Sequence, residues 1–306
     1  SSTSEPAVEE IRGRFGDYKL GNTLGLTGAI VGDNNTAVGF TGAVAGDAND
    51  STIIIRDGLD MGTVNELTMI CWIKRDGNQI NHSQIMMQRP GAGSAATGMT
   101  IVNNSQLGYH WLDKDYSWGY TNGPQLPDGA WAFAAISVTS TAATFYVGDM
   151  SGNMTTTVNE NVHDPVTMTT TFAIGGYADS SSGNGNRCFK GTLDEPAIFP
   201  RALTAEEINV IYKAGLNQTV PVTTVTIIPE TEVIYAGQAT LSGYANGTLP
   251  GNWQWNLNGT PIEGATESVL SGVLEAGSYT VTSEGVTSAA FEVLPGKVPT
   301  IESDLA

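Results

Sequence analysis

Between positions 109 and 120 the chain reads Tyr-His-Trp-Leu-Asp-Lys-Asp-Tyr-Ser-Trp-Gly-Tyr, a dense run of aromatic and acidic side chains. Aromatic rings offer flat apolar faces to the C–H faces of sugars, while carboxylates accept protons from sugar hydroxyls. Tyr116, Trp118, Asp113 and Asp115 fall in the loop half of the run and are the candidate glycan-binding residues. Tyr109 and Trp111 fit core packing better. The histidines, His82, His110 and His163, adjoin no Ser or Cys in a nucleophile motif. Tyr109 or His110 as the base of a lyase is the weaker, enzymatic alternative. Asp194 and Glu195 are consecutive, so on a strand they point to opposite faces and do not work as a carboxylate pair. Cys71 sits in an apolar run, where an inert buried thiol is expected. Cys71 and Cys188 form one bridge or remain two buried thiols; the sequence leaves both open.

The elements that must position these residues are short strands. Glu66 to Lys74 alternates yet is apolar on both faces, as in a strand enclosed between layers. Ala130–Val138 and Ala143–Val147 read as a hairpin, Thr170–Ile174 as a strand ending on two glycines, and Phe189–Phe199 as a closing strand. Strands at this spacing without intervening helices predict an antiparallel sandwich. One helix is expected. Thr204 with Glu207 forms a capping box, Leu203 and Ile208 occupy the staple positions, and Gly215 supplies the stop. A second run of strands spans 223–296 after a linker at 218–222, with Trp255 in an apolar-polar run and a hairpin signal at Asn258-Gly259. The division is therefore 1–217, a linker at 218–222, 223–296, and a tail at 297–306.

With 306 residues there is room for two cores, and 40% hydrophobic content sustains them. A net charge of −18 repels polyanions, so neither nucleic acid nor insertion into an anionic membrane is expected. That charge suits solubility in saline surroundings and invites divalent cations. No run of 18 apolar residues occurs. The first residues have the look of a processed start rather than a signal peptide.

GDNNTAVGF (32–40), ELTMICWIK (66–74), LGYHW (107–111), PDGAWAFAAISV (127–138), ATFYVGD (143–149) and FKGTLDEPAIFPRALTAEEI (189–208) follow one another in an order that resembles the laminin-G-like, concanavalin-A-like jelly rolls of large bacterial extracellular proteins. WQWNLNGTPIEGATES (253–268) and EAGSYTV (275–281) resemble a cysteine-free immunoglobulin-like module, with Tyr279 in a tyrosine corner and Val281 and Leu241 in place of an intersheet disulfide. The resemblance implies an all-β chain: an antiparallel jelly-roll sandwich with one short C-terminal helix, then a smaller immunoglobulin-like β-sandwich.

It also implies a function class. Glycosidases of this jelly roll carry Glu-x-Asp-x-x-Glu on one strand, and that pattern is absent, so no catalytic residues and no enzyme are expected. Related jelly rolls hold a structural Ca²⁺, which points to Asp33, Gly42 and Asp194, although Thr41 stands where the family has Asp. The family's opening strand is not evident here: residues 8–20 form a divergent version, the chain is a fragment, or another copy supplies it. The expected function is recognition of a polysaccharide or other surface polymer outside a bacterial cell. The alternative is a subunit of a surface layer, stalk or filament that associates with copies of itself by strand addition; a glycan-active enzyme ranks third.

Overall fold

The computed structural model describes residues 6–8, 15–19, 21–30, 36–45, 47–48, 50–55, 58–59, 61–89, 95–177, 186–218, 220–247 and 251–296. The chain forms two compact units, 1–208 and 209–306.

The first unit is a sandwich of two seven-stranded sheets. One sheet runs Pro6–Val8, Phe15–Asp17, Ile53–Ile55, Phe172–Ile174, Ser83–Gln88, Thr97–Val102, Gln106–His110. The strand at Phe15–Asp17 lies within the 8–20 stretch and pairs with Ile54 through Asp17. The other sheet runs Met154–Asn159, Ala143–Gly148, Ala132–Val138, Leu67–Arg75, Lys190–Phe199, Thr36–Thr41, Thr23–Thr27. The pairings are antiparallel, which makes this an all-β jelly-roll sandwich. Alternate residues of both sheets interlock in one core, among them Leu67, Met69, Cys71 and Ile73 against Ile85, Met99, Ile101, Leu107 and Tyr109. This is the two-face periodicity of strands turned into a layer of buried side chains.

The two sheets differ on their outward faces. On the Leu67–Arg75 sheet, Thr68 donates to the Arg201 carbonyl at 2.9 Å and Ser137 to the Leu203 carbonyl at 2.9 Å. These bonds tie the 201–203 segment over that face, which explains why Leu67–Arg75 is buried on both sides along most of its length. Helix Ala205–Gly215 follows. Its capping box is formed as expected: Glu207 N–H donates to Thr204 Oγ1 at 3.2 Å and Thr204 N–H to Glu207 Oε2 at 2.9 Å. Arg201 adds a two-pronged bond to the same carboxylate, at 2.8 and 2.7 Å.

The second unit packs a three-stranded sheet, Val225–Pro229, Gly237–Ala245, Val269–Leu274, with a sheet of Ile234–Tyr235, Phe291–Leu294, Gly277–Ser283, Gln254–Leu257, Thr260–Pro261 and Val286–Thr287. Trp255, Leu241 and Val281 are fully buried in its core. The hairpin at Asn258-Gly259 forms, both residues having positive φ. The Tyr279 hydroxyl donates to the Glu275 carbonyl at 3.1 Å, fixing the chain four residues upstream.

Candidate functional site

The outward face of the Ser83–Gln88, Thr97–Val102 and Gln106–His110 strands carries polar side chains where the inward face carries Met99, Ile101 and Leu107. Register aligns Gln84, Thr100 and Gly108 in one row and Met87, Gly98 and His110 in the next. Gln84 is fully buried and His110 is 4% exposed. Buried polar groups in strands demand partners, and these find only some of them.

The Tyr177 hydroxyl receives Gln84 Nε2 at 3.2 Å and Arg89 Nη1 at 3.0 Å, with the Arg89 guanidinium 5.2 Å from the Tyr177 ring centre. His110 Nδ1 meets Asp113 Oδ1 at 2.8 Å. That bond to a carboxylate assigns the proton to Nδ1 and leaves Nε2 as an acceptor in the neutral ring. Burial alone would raise the Asp113 carboxyl, but the hydrogen bond and charge of His110, with a smaller contribution from Arg89, hold it below the ordinary carboxylate range. The His82 ring stands 5.3 Å from that of His110 and 6.3 Å from Trp118. Burial, then the electrostatic influence of the neighbouring His110 and Arg187, pushes His82 down to about 4 against the opposing pull of Asp113. Trp118 borders the group and remains 40% exposed. Gln84 Oε1, Arg89 Nε, His82 Nδ1 and His110 Nε2 have no hydrogen-bond partner among the described residues.

The four glycan candidates are divided by this geometry. Asp113 and Trp118 join the His82–His110 group. Tyr116 turns the other way, its ring 5.4 Å from His163. Asp115 is exposed at the start of a single helical turn, Asp115–Trp118, where the sequence predicted a loop. Trp111 N–H donates to Ser117 Oγ at 2.9 Å and Ser117 Oγ to the Lys114 carbonyl at 2.7 Å, which folds the segment back on itself.

Tyr109 and Trp111 are core residues. The Tyr109 hydroxyl lies 2.9 Å from His163 Nε2 and accepts Asn159 Nδ2 at 2.9 Å, while Trp111 Nε1 donates to the Asp164 carbonyl at 2.8 Å. Burial drives the Tyr109 hydroxyl well above the ordinary tyrosine value, the wrong direction for a base.

Of the cation candidates, Asp33 lies outside the described residues. The pairing of Lys190 with Thr41 and Leu193 with Val38 sets Asp194 beside Ala37. Gly42 is then about 16 Å away along the strand at about 3.3 Å per residue, so Gly42 and Asp194 do not share one shell. Asp194 instead accepts the Ala29 N–H at 2.8 Å. It is buried, and Glu195 beside it is exposed, with φ of 48° at a register shift. Among the described residues, no three His, Cys, Asp or Glu side chains gather as a metal site. Cys71 and Cys188 are not bridged to each other: both are buried thiols. Cys71 belongs to the Leu67–Arg75 strand, whereas Cys188 bridges to Gln84 in the opposite sheet, so the layers of the sandwich hold them in different sheets. Burial raises both thiols, most of all Cys71.

The sequence singles out neither Gln84, Arg89 nor Tyr177, and gives His82 no role. Their signal was Gln84 and Gln88 inside the otherwise apolar Ser-Gln-Ile-Met-Met-Gln strand.

Several solved structures resemble this chain in part. Domain 4 of AbnA, an extracellular arabinanase from Geobacillus stearothermophilus solved with arabinotriose, is 17% identical over 69% of this chain and 82% of its own, with a TM-score of 0.41. A heptameric SAP-like pentraxin from Limulus polyphemus is 13% identical over 78% and 94%, at 0.44. The CBM40 of the Ruminococcus gnavus IT-sialidase, bound to α2,3-sialyllactose, is 13% identical over 49% and 83%, at 0.38. No curated protein matches the chain in sequence. A family model does match, over residues 47–209, more than half of the chain and the bulk of the sandwich just described. By that match the chain belongs to the concanavalin A-like lectin/glucanases superfamily, in its laminin G form.

Proposed function

We propose that the protein is a non-enzymatic, extracellular carbohydrate-recognition module of the cell surface, reading a polysaccharide on the face of the Ser83–Gln88 sheet. The observation that carries this reading is Trp118. Its indole is exposed at the border of a group of polar side chains whose hydrogen-bonding capacity is only partly used. A sugar ring stacking on Trp118 brings its hydroxyls to Asp113, whose carboxylate is held ionised and oriented by His110. Arg89, Gln84 and Tyr177 form a connected second layer behind it. Superfamily membership supports the same class of ligand, since lectins are among its namesakes. The Glu-x-Asp-x-x-Glu pattern is missing and Asp194 is committed to the Ala29 turn, so the reading assigns no catalytic pair. The second unit serves as a spacer, its buried Trp255 and its Tyr279 bond fitting an immunoglobulin-like module.

A glycan array probed with the wild-type protein, Trp118→Ala and Asp113→Asn tests the reading. Wild type should bind a defined subset of polysaccharides, and both variants should lose at least about tenfold in affinity. Unchanged binding by Trp118→Ala rejects this face.

A further inference from the structure

Every sheet has edges, and an unpaired edge is a template for another strand unless something blunts it. Among the described residues, several edges are short, broken, covered or closed by proline. Pro6–Val8 is three residues long with a proline. Gln106–His110 is covered by 124–125, with Leu107 N–H donating to the Pro124 carbonyl at 2.9 Å and Gln106 bridging to Gln125. On Met154–Asn159 the Tyr120 hydroxyl occupies the Val158 carbonyl at 3.2 Å. Thr23–Thr27 is broken by a register shift. Val225–Pro229 ends on a proline, Ile234–Tyr235 is two residues long, and Thr260–Pro261 is two residues with a proline.

Val269–Leu274 has none of these protections. It pairs on one side with Gly237–Ala245 through six consecutive residues without a bulge, and no described strand lies on its other side. Its sequence, Val-Leu-Ser-Gly-Val-Leu, has no charge and no proline. Val269 and Val273 stand 49% and 79% exposed on the outer face. None of the three strands of this sheet carries an Asp, Glu, Lys or Arg, in a chain of net charge −18. Two copies of so acidic a chain repel each other across most of their surfaces, and this neutral sheet is a place where they can meet.

We infer that Val269–Leu274 is a self-association edge, at which two copies pair antiparallel across a two-fold axis through Ser271. This proposal is independent of the sugar-binding reading. Antiparallel pairing of two identical strands is two-fold by construction, and the axis passes through a residue because residues facing each other across the pair share a face. Centring on Ser271 sets Val269 opposite the partner's Val273 twice over, with Ser271 opposite the partner's Ser271. These cross-strand valine contacts and the newly paired backbone supply the attraction. The same register sets exposed Glu267 opposite the partner's Glu275 at both ends. Like charges directly opposed weaken the pair. Association is therefore weak at low ionic strength and strengthens with salt, the reverse of an ion-paired interface.

Sedimentation velocity of the full chain from about 10 µM to about 1 mM, the range in which a small interface acts, at low salt and at high salt tests this. The expected result is a monomer–dimer equilibrium that shifts toward dimer with salt. Val273→Lys, at an exposed position that leaves the fold intact, should weaken dimerisation at least about tenfold. Glu267→Gln with Glu275→Gln should strengthen it at low salt and reduce the salt dependence. The inference is overturned if the double Gln variant stays monomeric at high concentration, if Val273→Lys associates as well as wild type, or if salt dissolves the dimer.

Discussion

Two histidines carry most of the testable chemistry at the scale of the residue. His82 sits at a positive φ of 65°, with its ring against that of His110 and its Nδ1 without a partner among the described residues. Its pKa is lowered to about 4 from an ordinary 6.5. The unfolded chain therefore binds a proton between those values that the folded chain refuses. The contribution of His82 to stability is fully present above about pH 6.5 and is lost as the pH falls toward 4. Thermal melting across that window should show the decline, and His82→Asn, which tolerates positive φ, should flatten it. An equal slope in the variant would assign the effect elsewhere. His163 gives a second contrast. Tyr109→Phe strips the described partner of His163 Nε2 and one of the two acceptors of Asn159 Nδ2, which keeps the Tyr116 carbonyl, and should cost about 1–3 kcal/mol in urea unfolding. Tyr116→Phe, next to the same imidazole, removes a hydroxyl with no described partner and should stay within about 0.5 kcal/mol of wild type. Equal effects would show that the hydrogen bonds of Tyr109 are not the cause.

Two local devices are open to test among the elements. The Thr204–Glu207 capping box satisfies N–H groups at the start of Ala205–Gly215, and Thr204→Ala should cost about 0.5–2 kcal/mol. Asp194 clamps the 28–29 turn through the Ala29 N–H. If that turn is its role, a chelator leaves melting unchanged while Asp194→Ala lowers it; a chelator-sensitive transition would restore the case for a cation. What the sequence revealed of these elements follows from range. The capping box, the Asn258-Gly259 hairpin and the alternating strand at 67–75 are set by neighbours within a few residues, and each was legible. The turn Asp115–Trp118 was not, because its N-cap Lys114 makes no side-chain capping bond and the segment is held by Ser117 against Trp111. Nor was the meeting of Gln84 and Arg89 on Tyr177, some 90 residues on, because the strand order of the sheet decides it. Layer assignment likewise separates Cys71 from Cys188, whereas Tyr116 and Trp118 are parted by the helical turn itself, on which two positions stand about 200° apart.

Across the whole molecule, surplus negative charge and two different faces divide the work. The sandwich covers one outer face with its own 201–203 segment, while on the other Gln84 and His110 are buried and Trp118 stands exposed at their border. The second unit keeps a neutral three-stranded sheet, with Val269–Leu274 at one edge, on an acidic chain. Sugar recognition and self-association are compatible on this architecture, since weak sites gain from being held side by side at high local concentration. The central claim is that the Trp118 face is a sugar site, and titration calorimetry tests it most directly. A polysaccharide selected from the array would be titrated into wild type and Trp118→Ala, with circular dichroism confirming that both are folded. The account predicts saturable binding that weakens at least about tenfold in the variant. Equal affinities in the two proteins, or a wild type that binds no glycan at all, would contradict it.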